Sequence, residues 1–105
     1  MNRKPVDIAK EYTTVLRQKL GKRLKKVILY GSQARGDAWE GSDYDVLVLV
    51  DERTPVIREA VIDAGVEMMD RYETLFAALI YDEQEWQQAR GFPLTWNIEQ
   101  EGIAV

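Results

Sequence analysis

Apolar positions along the chain alternate between a helical and an extended period, and the switches mark the elements. From Asp7 to about Leu24, apolar side chains fall at Ile8, Tyr12, Val15, Leu16, Leu20 and Leu24, the stripe of an amphipathic helix. Gly21 interrupts that stripe and shortens the helix. Lys26 to Tyr30 reads as a short strand closed by Gly31, and Ser32 to Arg35 as one helical turn. Residues 36–42, rich in Gly, Asp and Ser, are loop. Asp43 to Val50 is the clearest strand; its "VLVLV" is apolar on both faces, which suits a central strand covered on both sides. "DERTP" breaks it. Thr54 then caps, and Pro55 starts, a helix to about Tyr72 with Ile57, Val61, Ala64 and Met68 on one face. Leu75 to Tyr81 is a third strand. Asp82, with Glu85 three residues on, opens a helix through Arg90. A last helix spans Pro93 to Gln100 before Gly102, and "IAV" adds an edge strand.

This order predicts one α/β domain of the α+β kind over residues 1–105: a small mixed sheet of about three strands with helices packed on it. About a dozen residues, and no full crossover helix, separate the first two strands, so they pair antiparallel. The end of the first strand, Gly31 and Ser32, then lies beside the start of the second, Asp43 and Asp45.

Side chains alternate along a strand, so Asp43 and Asp45 share a face, with Cα atoms roughly 6.5–7 Å apart. Two carboxylates at that spacing repel unless a cation lies between them. Mg²⁺ suits such a pair, because it takes one or two carboxylates together with substrate phosphate oxygens. Gly31 lets the backbone approach a ligand closely. A turn starting at Ser32 offers amides and a hydroxyl to a phosphate, and Arg35 lies one turn further on with a positive charge. Taken alone, a Gly-Ser pair is a turn and an Asp-x-Asp pair a solvated strand end. Their occurrence in this order, at adjacent strand ends, favours a metal and triphosphate site.

Composition narrows the chemistry. The chain has no Cys and no His among its 105 residues. Thiolate and imidazole metal sites, Ser-His catalysis and disulfides are therefore excluded. The net charge of −4 disfavours a duplex nucleic-acid binder. The charged opening "MNRKPVDIAKEY" is no signal peptide, and no apolar run would span a membrane, so a cytoplasmic location is the default expectation.

The stretch "GSQARGDAWEGSDYDVLVLV" resembles the signature of the minimal nucleotidyltransferases, in the DNA polymerase β-like superfamily. Gly31, Ser32, Ala34, Arg35, Gly36, Ser42, Asp43 and Asp45 match its order and spacing. The resemblance implies transfer of a nucleoside monophosphate from an NTP, usually ATP, to a hydroxyl. Gly31 and Ser32 would hold the triphosphate, with Arg35 assisting, and Asp43 and Asp45 would bind Mg²⁺ and carry catalysis. Active members generally have a third carboxylate in the next strand; here "LFAALIY" offers Ala77 and Ala78, flanked by Glu73 and Asp82. The resemblance also implies a second reading: an antitoxin-like or regulatory subunit acting through a helical, HEPN-type partner, or a homo-oligomer.

Three further features stay open. The cations from Arg17 to Lys26 read as the exposed last turn of a helix, with nucleic-acid contact as the alternative. Trp39 would stack on a base or cover the site, with an exposed partner contact or simple packing against the loop as the alternatives. Trp86 and Trp96 read as core, and Met68 and Met69 as core or subunit contact.

Overall fold

The computed structural model describes residues 4–39 and 41–105; Glu40, within the expected 36–42 loop, and the first three residues of the charged opening lie outside it. The chain runs through α1 (Pro5–Leu20), a 3₁₀ turn (Gly21–Arg23), β1 (Leu24–Tyr30), α2 (Ser32–Arg35), β2 (Tyr44–Val50), α3 (Pro55–Tyr72), β3 (Phe76–Asp82), α4 (Glu83–Ala89), α5 (Pro93–Glu101) and β4 (Ile103–Ala104). The sheet order is β3-β2-β1-β4. β1 pairs antiparallel with β2, as the short connection requires, and β2 pairs parallel with β3 through the α3 crossover. The sheet is mixed, as expected, and "IAV" supplies the edge strand that brings it to four strands, antiparallel to β1.

Local chemistry explains most boundaries. Thr54 accepts a hydrogen bond from the Ile57 amide (3.3 Å), with Pro55 at the first helical position. Asp82 and Glu85 form a complete capping box. The first helix is shorter than its apolar stripe suggested. Gly21, at φ +57°, turns the chain out of helix, and Leu24 becomes the first residue of β1 while still facing the core.

One face of the sheet carries Val27, Leu29, Tyr44, Val46, Val48, Val50 and Phe76, all buried against Tyr12 and Leu16 of α1 and Ile57, Val61, Ala64 and Met68 of α3. The other face buries Leu47 and Ile98. Fully burying each such side chain contributes about 1.5–3 kcal/mol. Central β2 is thus covered on both sides, as its continuous apolar run suggested. Two tryptophans depart from the expected core. Trp96 is exposed on the outer side of α5, which turns Thr95 and Ile98 inward instead. Trp86 is half-buried, tilted against Tyr81 at 6.1 Å. Met68 is core, whereas Met69 is exposed. The cations near the end of α1 stay at the surface, where Lys19 pairs with Glu67 of α3 at 3.4 Å. Among the described residues, no helix is long and apolar enough to cross a membrane.

Candidate active site

Three stacked aromatic rings set the phase of β2. Tyr12 of α1 stacks on Phe76 of β3 at 4.2 Å, and Phe76 stacks on Tyr44 at 4.9 Å. This column pins Tyr44 into the core. In a strand the neighbours of a core-facing residue must face the other way, so Asp45 is directed to the opposite side of the sheet. Asp43 precedes the strand by one residue, and its charge reaches Asp45. Burial pushes the Asp45 carboxyl above its ordinary range, and Asp43 raises it further; Arg35 pulls it back less strongly.

Register then decides what surrounds Asp45. Across the antiparallel ladder it faces Tyr30, the last residue of β1; across the parallel ladder it faces Ala77 of β3. Gly31 follows Tyr30 at φ +75°, a conformation open to glycine. A Cβ there would lie 2.5 Å from Asp45 Oδ2. The backbone angle favours glycine, and any Cβ there would force the Asp45 carboxylate to turn aside. The sequence brings together what it was expected to bring together: the Gly31–Ser32 turn and the Asp43–Asp45 pair meet at adjacent strand ends.

α2 begins at Ser32 with Gly31 as its cap residue; the amides of Ala34 and Arg35 donate to the Gly31 carbonyl at 3.1 and 3.0 Å. The loop that follows is fastened at two points. Gln33 Nε2 donates to the Ser42 carbonyl at 3.0 Å, and the Trp39 amide donates to Ser42 Oγ at 3.1 Å. Trp39 is 82% exposed, so it does not pack against the loop.

Two features were not legible beforehand. Arg35 is already engaged: its Nε donates to Asp37 at 3.2 Å and its Nη1 to both oxygens of Glu101 at 3.2 and 3.1 Å. Glu101 also accepts from the Gly31 amide at 3.3 Å. Glu101 lies 70 positions from Gly31, and no local pattern marks it. Neither flanking acid approaches Asp45 as a ligand. Glu73 is the left-handed C-cap of α3, and Asp82 caps α4 at the far end of β3. Among the described residues, no group of three acidic side chains could hold a metal ion. The donors that fit a divalent cation are the Asp43–Asp45 pair, whose mutual repulsion it would relieve.

A mixed sheet with a glycine-serine turn opposed to an acid pair at neighbouring strand ends is the arrangement that the resemblance to nucleotidyltransferases implies, and comparison with known proteins agrees. The nucleotidyltransferase domain family model matches residues 9–97. Two curated proteins of Methanocaldococcus jannaschii, both named as candidate protein adenylyltransferases, are similar. One is 33% identical over 93 residues, covering 89% of this chain and 89% of its own; the other is 38% identical over 78 residues, covering 72% and 78%. The chain belongs to the nucleotidyltransferase domain family. Among solved structures, a toxin–antitoxin complex with AMP-PNP aligns at TM-score 0.61 and 14% identity, over 90% of this chain and 69% of that one. A complex of a tri-AMPylated HEPN toxin from Shewanella oneidensis with an MNT antitoxin aligns at 0.58 and 14%, over 95% and 70%. A nucleotidyltransferase candidate from Sulfolobus solfataricus aligns at 0.52 and 20%, over 99% and 87%. At these identities the structural likeness establishes the fold.

Proposed function

We propose that the chain is a Mg²⁺-dependent adenylyltransferase that moves AMP from ATP to a hydroxyl on a protein. The observation that supports the reading is the close approach of Gly31 to the Asp45 carboxylate, with no side chain at Gly31 between the turn and that acid. The acceptor class rests on the curated relatives, which are named for protein adenylylation. The acceptor oxygen would form a bond to the α-phosphorus, the bond from that phosphorus to the β-phosphate oxygen would break, and pyrophosphate would leave. Bound Mg²⁺ supplies charge neutralisation and alignment of the phosphates. Asp43 and Asp45 hold it, Ser32 and the Gly31 amide receive phosphate oxygens, and Arg35 adds positive charge. With Ala77 beside Asp45, the acceptor proton passes to water, which makes turnover by the isolated chain slow.

A second reading, an antitoxin-like subunit working through a helical partner, is favoured by a separate surface. β3 is an edge strand, and the α3 face next to it exposes Ile62, Val66 and Met69, with Leu75 beyond the end of the helix. Contiguous exposed apolar residues of this kind mark protein-binding surfaces. The two readings are compatible, because a toxin hydroxyl is itself a protein acceptor, and one structural neighbour contains an AMPylated HEPN toxin. The test is incubation with ATP labelled at the α-phosphate and, as acceptor, a small helical HEPN-type protein. Label on the helical protein that depends on Asp43 and Asp45 supports transfer. Stable complex formation without label supports the purely binding role.

A further inference from the structure

Glu101 occupies the donors that the reading above assigns to a nucleotide phosphate. Its Oε1 accepts from the Gly31 amide and, with Oε2, from Arg35 Nη1. Carboxylate and phosphate oxygens are interchangeable acceptors for such donors. One side chain of the fold therefore satisfies both the backbone and the cationic part of the candidate phosphate site.

The fold aims this side chain. Glu101 is the last residue of α5, and the next residue, Gly102, donates its amide to the Ile98 carbonyl at 2.8 Å. Gly102 packs so closely on Ile28 and on the Ile98 carbonyl that a Cβ has no room. β4 then pairs Ile103 with Leu29 and Ala104 with Ile28, and the Val105 amide donates to the Val27 carbonyl at 2.9 Å. The strand that leads into Gly31 is thus the strand on which the α5–β4 corner is fastened. β4 itself spans Ile103–Ala104.

We propose that Glu101 is a built-in competitor for the nucleotide phosphates: it holds Gly31 and Arg35 in the free protein and must swing away for MgATP to enter. The proposal rests on the site reading given under Proposed function. Two anions cannot share these donors without repulsion, so the apparent nucleotide affinity is lowered by the fraction of molecules in which Glu101 is seated.

The experiment is calorimetric titration of MgATP into the native chain, Glu101→Gln and Glu101→Ala, each checked for folding by circular dichroism. Glu101→Gln keeps the shape and removes the charge. Glu101→Ala removes the acceptor, and alanine is the best helix former for the end of α5. Binding about five-fold tighter in Glu101→Gln, and at least as tight in Glu101→Ala, is the expected result. Unchanged or weaker binding in the variants, with the native chain binding, would overturn the competitor role and leave the site standing, with Glu101 as a support of the Gly31 turn. Absence of binding in all three proteins would overturn both the competitor role and the nucleotide site.

Discussion

Asp45 of β2 stands directly beside Ala77 of β3 in the parallel ladder. In a parallel pair, residues in register share a face, so the Ala77 methyl points to the side on which Asp45 lies. Ala77 is also exposed, so a larger side chain there has space. Of the two alanines that stand where the family resemblance leads one to expect a third carboxylate, Ala77 is the one in register with Asp45. Ala77→Asp is expected to raise Mg²⁺ affinity and to increase transfer by about 10²-fold, the lower end of what a placed general base supplies. Rates of label incorporation at saturating MgATP measure this. An unchanged rate would mean that proton removal does not limit transfer.

Gly31→Ala is expected to disrupt the site from the backbone side. The new Cβ would lie 2.5 Å from Asp45 Oδ2, at a backbone angle that L side chains rarely adopt. A non-glycine residue held there costs about 1–3 kcal/mol. Chemical denaturation should show that loss, and MgATP binding should disappear in a protein that still folds. A variant of native stability would show that Asp45 moves aside freely.

The acid pair has a cost to stability, and its pH dependence follows from the raised carboxyl of Asp45. Burial, then the charge of Asp43, makes the folded chain hold the Asp45 proton more tightly than the unfolded chain does. Between the unfolded and folded values the native state binds more protons, so this group's contribution to stability falls as pH rises through that window. Asp45→Asn is accordingly expected to raise the melting temperature at neutral pH, with the gain vanishing below the ordinary carboxylate range. Mg²⁺ should stabilise the native chain at neutral pH and leave Asp45→Asn unaffected. Melting curves across pH, with and without Mg²⁺, test both statements. A melting temperature lowered by Asp45→Asn at neutral pH would show that the carboxylate is held by favourable contacts.

Tyr12 contributes its ring and not its hydroxyl. The ring is fully buried and stacks on Phe76, while the hydroxyl is buried without a hydrogen-bond partner among the described residues. A buried unsatisfied polar group costs about 1–3 kcal/mol. Tyr12→Phe is expected to be neutral or stabilising by up to about 1 kcal/mol, and Tyr12→Leu, which removes the stack, to destabilise. Urea denaturation separates the two outcomes, and a marked loss in Tyr12→Phe would indicate a buried water on the hydroxyl.

What the sequence disclosed, and what it withheld, follows the range of each signal. The Gly31–Ser32 turn and the Asp43–Asp45 pair lie within fifteen residues, and strand alternation with a short connection is enough to bring them together. Thr54, Asp82 and Glu85 were legible because capping is local chemistry. Glu101 was not, because its partners Gly31 and Arg35 are 70 and 66 positions away and depend on the β4–β1 pairing. Trp96 was misassigned to the core because its position on α5 is decided by which face Thr95 and Ile98 bury, and an apolar residue next to them carries no mark of direction. The end of α1 shifted because Leu24 satisfies the helical stripe and the core face of β1 equally well, and Gly21 decides between them.

The most direct test of the site is calorimetric titration of ATP, with and without Mg²⁺, into the native chain and into Asp43→Asn/Asp45→Asn. The expected result is binding that requires Mg²⁺ and disappears in the double variant. Binding of equal strength in the double variant, or binding indifferent to Mg²⁺, would contradict the assignment of Asp43 and Asp45 as the metal-holding pair.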